Sequence, residues 1–304
     1  MSGLPGRVSI REVGPRDGLQ NEDPVPTAAK VRLLDALGRT GVGRIEAVSF
    51  VHPKAIPQMA DADEVWAAAS RADGVRYSAL VPNSRGAQRA LAAGFTEIEV
   101  VLSASETHNR RNVNRSVGES LDDIAALVGD LHAAGATAEV ILSTSFGCPY
   151  EGDVDPAAVV RIVDRVVADG ADRVSFGDTT GMATPYRVRQ VVGAVRERHP
   201  DVPLLLHFHN TRGTALANIL TALELGITEY DASVGGLGGC PYAPGATGNV
   251  ATEEVVHMLH DMGIETGIDL DALIEVARLA QEIVGRELPS GVLRAGPRTR
   301  LVAA

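Results

Sequence analysis

Cysteine is nearly missing from this chain: Cys148 and Cys240 are the only two in 304 residues. Two thiols imply no disulfide framework and suit a reducing compartment. Long hydrophobic runs are missing too. Nothing approaches the ~20 apolar residues that span a bilayer, so no membrane partner is expected. Met1 to Arg7 has neither the apolar core of a secretion signal nor the arginine-rich pattern of a transit peptide, and a cytoplasmic location is expected. Positive charge is in deficit, with a net charge of −11. That argues against general nucleic-acid affinity, and an anionic substrate must be met by a local basic patch. Only Lys30 and Lys54 are lysines, a habit of usage with no functional weight. The 45% apolar and 22% charged residues are ordinary for a folded protein with a sizeable core.

What is present is a repeated rhythm of short apolar runs and longer helical patterns. Strand-like runs occupy Val8 to Val13, Arg44 to Phe50, Val75 to Val81, Glu97 to Leu102, Thr137 to Thr144, Arg173 to Phe176, Leu204 to His209 and Glu229 to Val234. Helical patterns follow them: Ala28 to Arg39 with Thr27 as cap, Asp61 to Arg71, Arg85 to Ala93, Ser120 to Ala134, Pro156 to Asp169, Pro185 to Arg198, Thr214 to Leu225 and Ala251 to Met262. Eight β-then-α units over roughly 250 residues are the arithmetic of a closed (β/α)8 TIM barrel. An open doubly wound sheet normally carries a glycine fingerprint after its first strand, and Gly14-Pro15-Arg16-Asp17-Gly18 is not one. The chain is expected to be a single domain: a barrel over about 7–264, an additional C-terminal helix over about 268–286, and a poorly structured tail at 289–304.

In such a barrel chemistry gathers at the C-terminal ends of the strands. Strand seven ends in His207 and His209, whose i, i+2 spacing puts both imidazoles on one side of a strand, roughly 6–7 Å apart along the backbone. Arg16 and Asp17 follow strand one, Glu46 lies on strand two, Asp178 follows strand six, and Asn249 closes the loop after strand eight. An Asp, two His and an Asn carbonyl form an oxygen and nitrogen set without thiolate, suited to Mg²⁺ or Mn²⁺, with Zn²⁺ as the alternative. Blander roles stand beside these: Asp17 as a turn residue, Glu46 and Asp178 as buried partners of arginine, Asn249 as a helix N-cap. The run Gly235-Gly236-Leu237-Gly238-Gly239-Cys240-Pro241-Tyr242 reads as a mobile lid carrying a thiol, or as a glycine-rich turn holding an inert one. Cys148 is expected to be structural, and His257 and His260 to form a solvated helix face.

These motifs resemble the 3-hydroxy-3-methylglutaryl-CoA lyase family of the metal-dependent barrel lyase and synthase superfamily, over nearly the whole chain. The resemblance is carried by Glu12-Val13-Gly14-Pro15-Arg16-Asp17-Gly18-Leu19-Gln20-Asn21, Ser49-Phe50-Val51, Gly147-Cys148-Pro149-Tyr150-Glu151-Gly152, Gly236-Leu237-Gly238-Gly239-Cys240-Pro241-Tyr242-Ala243 and Gly248-Asn249-Val250-Ala251-Thr252-Glu253. It implies that Asp17, His207, His209 and Asn249 surround a divalent cation, that Arg16 stabilises an enolate, and that Cys240 sits on an active-site lid. It further implies that Gln20, Glu46 and Asp178 line the acyl pocket. One departure stands out: the family follows its paired histidines with Asp-Thr-Tyr-Gly, and this chain has Asn210-Thr211-Arg212-Gly213.

The implied reaction is cleavage of a 3-hydroxyacyl-CoA to a keto acid and acetyl-CoA, with leucine breakdown as the associated route. The cation would lower the pKa of the substrate hydroxyl, with His207 as first candidate for the base and Asp17 as second. Cys240 would return a proton to the enolate, and Lys54, Arg110 and Arg111 would meet the CoA phosphates. A homodimer is expected. The rivals are a lyase for another branched 3-hydroxyacyl-CoA, a condensing synthase on the same barrel, and a non-catalytic acyl-CoA or metal-binding barrel.

Overall fold

The computed structural model describes residues 3–239 and 248–300. Eight parallel strands close into a barrel in chain order, each hydrogen-bonded to the next and the last to the first. They are β1 (Ser9–Glu12), β2 (Arg44–Ser49), β3 (Arg76–Val81), β4 (Glu97–Ser103), β5 (Thr137–Ser143), β6 (Arg173–Asp178), β7 (Leu204–Phe208) and β8 (Glu229–Ala232). Helices α1 (Thr27–Leu37), α2 (Ala62–Ala68), α3 (Ser84–Ala92), α4 (Glu106–Val113), α5 (Val117–Ala133), α6 (Pro156–Ala168), α7 (Pro185–Arg198), α8 (Ala215–Glu224) and α9 (Thr252–Asp261) cover the outside. Beyond them lie α10 (Leu270–Val284) and α11 (Gly291–Ala295).

Side chains alternate along each strand, so every second residue faces the helices. In β5 the buried Ala138, Val140 and Leu142 alternate with Glu139, and this shared outer layer joins one continuous core. The inner face is different from the usual branched apolar filling of such barrels. Arg11 of β1 meets Glu99 of β4 at 2.6 Å, Glu139 of β5 at 2.9 Å and Asp231 of β8 at 2.7 Å. Nearer the strand starts, Arg44 pairs with Glu97 at 3.2 Å and Glu229 at 2.9 Å, and Arg173 pairs with Glu229 at 3.1 Å.

Three expectations change. The first part of the tail expected to be poorly structured at 289–304 is ordered: Ser290 caps α11, and Val292 and Leu293 are buried, while 301–304 lie outside the described residues. Thr27 does not cap α1, because its hydroxyl donates to Asp61 instead. Helix α4 was not anticipated, since its sequence is polar nearly all round and its one local signal is Ser105, whose hydroxyl caps it.

Candidate active site

The chain after β1 turns at once into a tight five-residue turn over Gly14–Gly18, which carries Arg16 and Asp17 to the mouth of the barrel. Glu12 holds this turn from below. Its carboxylate accepts from Gly14 N and Val234 N at 2.8 Å each, and from the Thr252 hydroxyl at 2.6 Å. One buried side chain thereby ties together the exits of β1 and β8 and the start of α9. In the sequence Glu12 stands out only as part of the family motif, two residues before Gly14.

Asn249 reaches the mouth by strand-like pairing. Val250 N donates to Phe208 O at 3.1 Å, Asn210 N to Gly248 O at 2.7 Å, and Ser233 N to Val250 O at 3.0 Å. The segment therefore wedges between the ends of β7 and β8. Ala251, not Asn249, is the N-cap of α9. Glycines make this approach possible: a Cβ on Gly238, at φ +115°, would sit 2.9 Å from Asn249 Nδ2, and one on Gly235, at φ +68°, would strike Leu288 at 2.2 Å. In its described part the glycine run is thus a packed turn, chosen for close contact. Cys240 and the rest of the proposed lid lie outside the described residues.

At the mouth Asp17, His207 and His209 each aim one ligand atom within 4.8 Å of the others. Asp17 Oδ2 lies 4.0 Å from the Nε2 of both histidines. Arg16 Nη1 donates to Asp17 Oδ1 at 2.7 Å, and Asn249 Nδ2 donates to Asp17 Oδ2 at 2.7 Å. Burial alone would raise the Asp17 carboxyl, but Arg16 and the two imidazoles hold it down to about 2. His209 is pushed the other way: burial, then the neighbouring His207, lowers it to about 3, so its ring is neutral. Burial opposes protonation of His207 as well, yet its hydrogen bond to Asp231 and the nearby Asp17 raise it above the usual value. Asp231 was not named from the sequence. It accepts from His207 Nδ1 at 3.1 Å and lines the same cavity.

Arg16 also forms an ion pair with Glu46 at 2.6 Å. Glu46 is fully buried and lies behind Arg16, not on the cavity wall where it was expected. Asp178 is likewise behind the wall, where one oxygen accepts from Met182 N and Ala183 N at 2.7 and 2.9 Å and shapes the loop after β6. Burial raises its carboxyl to about 7. Gln20 does line the cavity, a space of about 500 Å³ that also takes in Arg16, Asp17, His207 and His209. Lys54, Arg110 and Arg111 are exposed on neighbouring segments and do not line it. Arg110 pairs with Glu106 and Arg111 stacks over Tyr150. Cys148 is buried against Ser105, away from solvent. His260 bonds the Thr266 hydroxyl and so is not merely solvated.

Among the described residues, Asn249 Oδ1 and His209 Nδ1 are buried near the mouth without a hydrogen-bond partner. Leaving such an atom buried and unpaired is costly, so an orphan beside a carboxylate and two imidazoles fits a site that receives a cation. The donor set is oxygen and nitrogen only.

Residues 7–280 match the family model described as HMGL-like. The chain is 50% identical over 287 residues to the hydroxymethylglutaryl-CoA lyase of Bacillus subtilis, covering 94% of this chain and 96% of that one. A crystal structure of the HMG-CoA lyase of the same organism superposes with a TM-score of 0.94 at 49% identity, covering 96% of this chain and 98% of that one. An HMG-CoA lyase from Acinetobacter baumannii, in complex with coenzyme A and 3-methylmalate, superposes with a TM-score of 0.94 at 42% identity over the whole of both chains.

Proposed function

The chain belongs to the HMGL-like family, and from that premise we propose that its barrel mouth cleaves 3-hydroxy-3-methylglutaryl-CoA to acetoacetate and acetyl-CoA. It is a carbon–carbon lyase. The observation that carries the site assignment is the convergence of Asp17, His207 and His209 beside the fixed guanidinium of Arg16.

Asp17, His207 and His209, with the Oδ1 of Asn249, would hold a divalent cation, Mg²⁺ or Mn²⁺ by the hardness of the donors. When bound, the cation polarises the substrate hydroxyl and makes it more acidic. Arg16 serves the other half of the reaction. Breaking the bond between C2 and C3 turns the C3 oxygen into a ketone and leaves the electron pair as an acetyl-CoA enolate. A permanently charged guanidinium, anchored on Asp17 and Glu46 and lining the cavity, would stabilise the enolate oxygen on C1 without reorganising.

The hydroxyl proton needs an acceptor. His207 was the first candidate, but its Nδ1 is committed to Asp231, so its Nε2 can hold a cation or take a proton, not both. We assign Nε2 to the cation and the proton to Asp17. Cys240 is proposed to return a proton to the enolate carbon, and Lys54, Arg110 and Arg111 to meet the CoA phosphates from the rim. A cytoplasmic homodimer completes the proposal; no helix among the described residues is long and apolar enough to cross a membrane.

Acetoacetate release under added Mg²⁺ or Mn²⁺ tests this, with Arg16→Gln, Asp17→Asn and Cys240→Ser variants and a panel of branched 3-hydroxyacyl-CoA esters. Wild-type turnover in Arg16→Gln removes the central assignment, and faster cleavage of another ester replaces the substrate.

A further inference from the structure

We propose that Arg11 and Asp231 are a buried positioning pair that fixes the His207 ring with Nδ1 protonated and Nε2 bare, so that the barrel interior sets the cation affinity of the mouth. This rests on the assignment of His207 as a cation ligand made above.

The three residues share one layer of adjacent strands. Arg11 of β1 is the register partner of Asp231 of β8, and Asp231 is the register partner of His207 of β7. Arg11 grips Asp231 with two prongs of its fork, Nε to Oδ1 at 2.7 Å and Nη2 to Oδ2 at 3.0 Å. Its remaining nitrogen, Nη1, is spent on Glu99 at 2.6 Å. Arg11 and Asp231 are 1% and 4% exposed, so neither is free to reorient into water. A carboxylate held this way can only accept a hydrogen bond. Its contact with His207 Nδ1 at 3.1 Å therefore requires the proton on Nδ1. In the neutral ring the lone pair then lies on Nε2, the atom 4.0 Å from Asp17. Of the two tautomers, only this one can bind a cation from the mouth.

His209 provides the contrast within the site. Its Nδ1 is buried without a hydrogen-bond partner among the described residues, so none of them selects its tautomer. The ring backed by Asp231 is the pre-organised ligand of the two.

Asp231→Asn is nearly isosteric and breaks the device whichever way the amide turns. With its oxygen toward His207, its NH₂ faces the Arg11 Nε–H, donor against donor. Turned over, the NH₂ faces His207 Nδ1 and drives the proton to Nε2. Either outcome weakens a cation-binding histidine, and losses of outlying carboxylate partners elsewhere run about 10–100-fold in metal affinity. Arg11→Lys keeps the charge and loses the fork, and is expected to fall between wild type and Asp231→Asn.

Two measurements on the metal-free protein decide the matter. Long-range ¹H–¹⁵N correlation of labelled histidines at alkaline pH, where the ring is neutral, with His207→Gln to assign the signal, is expected to show His207 protonated on Nδ1; a neutral ring with its proton on Nε2 alone overturns the proposal and needs no folded Asp231 variant. Mn²⁺ titration followed by electron paramagnetic resonance is expected to show the affinity loss in Asp231→Asn. Wild-type affinity there, while His207→Ala binds weakly, overturns the positioning pair alone. Wild-type affinity in His207→Ala overturns the ligand assignment beneath it.

Discussion

Arg11 and Arg16 are five residues apart, both buried, and both surrounded by carboxylates, yet they are held in different ways. Arg11 contacts Glu99, Glu139 and Asp231 from three strands of the barrel wall, at 2.6 to 2.9 Å. Its partners are all strand residues, three carboxylates around one guanidinium, and of them Asp231 alone also lines the cavity. Arg16 contacts Asp17 and Glu46, but it also lines the cavity, together with Asp17, His207 and His209. Among the described residues, buried atoms without a hydrogen-bond partner occur in both clusters, Glu99 Oε2 and the two Glu139 oxygens beside Arg11 among them. What sets the second cluster apart is that Arg16, Asp17 and the two imidazoles open onto one cavity. Buried charge alone does not mark a site; donor atoms converging at an open mouth do.

The largest effect that could break this contrast is on folding. Arg11→Met leaves three buried carboxylates without their shared cation, which is expected to cost about 3–5 kcal/mol of stability, since removing one partner strands the others. Urea unfolding checks it. A loss as small as that of a surface substitution would mean the interior cluster is solvated or neutral, and the distinction drawn between the two arginines would fail.

Next in size is the matching change at the mouth. Arg16→Gln is expected to lower acetoacetate release by about 10²–10³, the usual consequence of deleting a charge-stabilising donor. Folding should suffer less than in Arg11→Met, because the Glu46 carboxyl, already raised by burial and by Glu99 beside it, can take up a proton. A variant that unfolds but retains its turnover would reverse the roles assigned to the two arginines.

The barrel itself was legible because eight apolar strand faces with period two, each followed by a helix, leave few other folds. The charged interior was not. Arg11, Glu99, Glu139 and Asp231 sit at alternate positions that look like a solvent-facing edge until the sheet closes and turns that face inward. Asp17, His207 and His209 were legible from residue type and position at strand ends. Asn249 was named from its place in the loop after strand eight and again by motif, but the wedge between β7 and β8 that carries it there was not foreseen, because it depends on backbone pairing that no side-chain pattern announces. Glu46 and Asp178 were given the wrong wall for the same reason: a position on or after a strand says which end of the barrel a side chain is near, not what stands in front of it.

A third class of buried carboxylate sharpens the comparison, because it has no cation at all. Burial raises Glu12 and Glu253 to about 7 from 4.5, against the pull of the N–H and hydroxyl groups that bond them. Folded pKa above unfolded means that the folded chain holds extra protons between those values. Stability is therefore expected to fall as pH rises from 4.5 to 7, by up to ~1.4 kcal/mol per pH unit for each group. Glu12→Gln keeps an oxygen for Gly14 N and Val234 N and removes one of the two protons. Urea midpoints at pH 5 and pH 7 should then lie closer together than in wild type. An unchanged gap would show that Glu12 titrates alike in both states.

The smallest effect concerns Arg212, which with Asn210 marks this chain's departure from the family pattern. A cation one loop away from the paired histidines suggests an altered substrate preference, but proximity in sequence is a poor guide here. The guanidinium Nη1 donates to Thr180 O at 2.8 Å and Gly181 O at 2.9 Å, which staples the loop after β7 to the loop after β6. Arg212 does not line the cavity. Its charge belongs to neither cluster and touches the site only through the loop that Asp178 also shapes. Arg212→Tyr is accordingly expected to change turnover and ester preference by less than about 2-fold, while losing about 1 kcal/mol from the missing hydrogen bonds. Competition between 3-hydroxy-3-methylglutaryl-CoA and shorter branched esters reads the first, and thermal unfolding the second. A large shift in preference would mean that the loop, and not the direction of the charge, governs the acyl pocket.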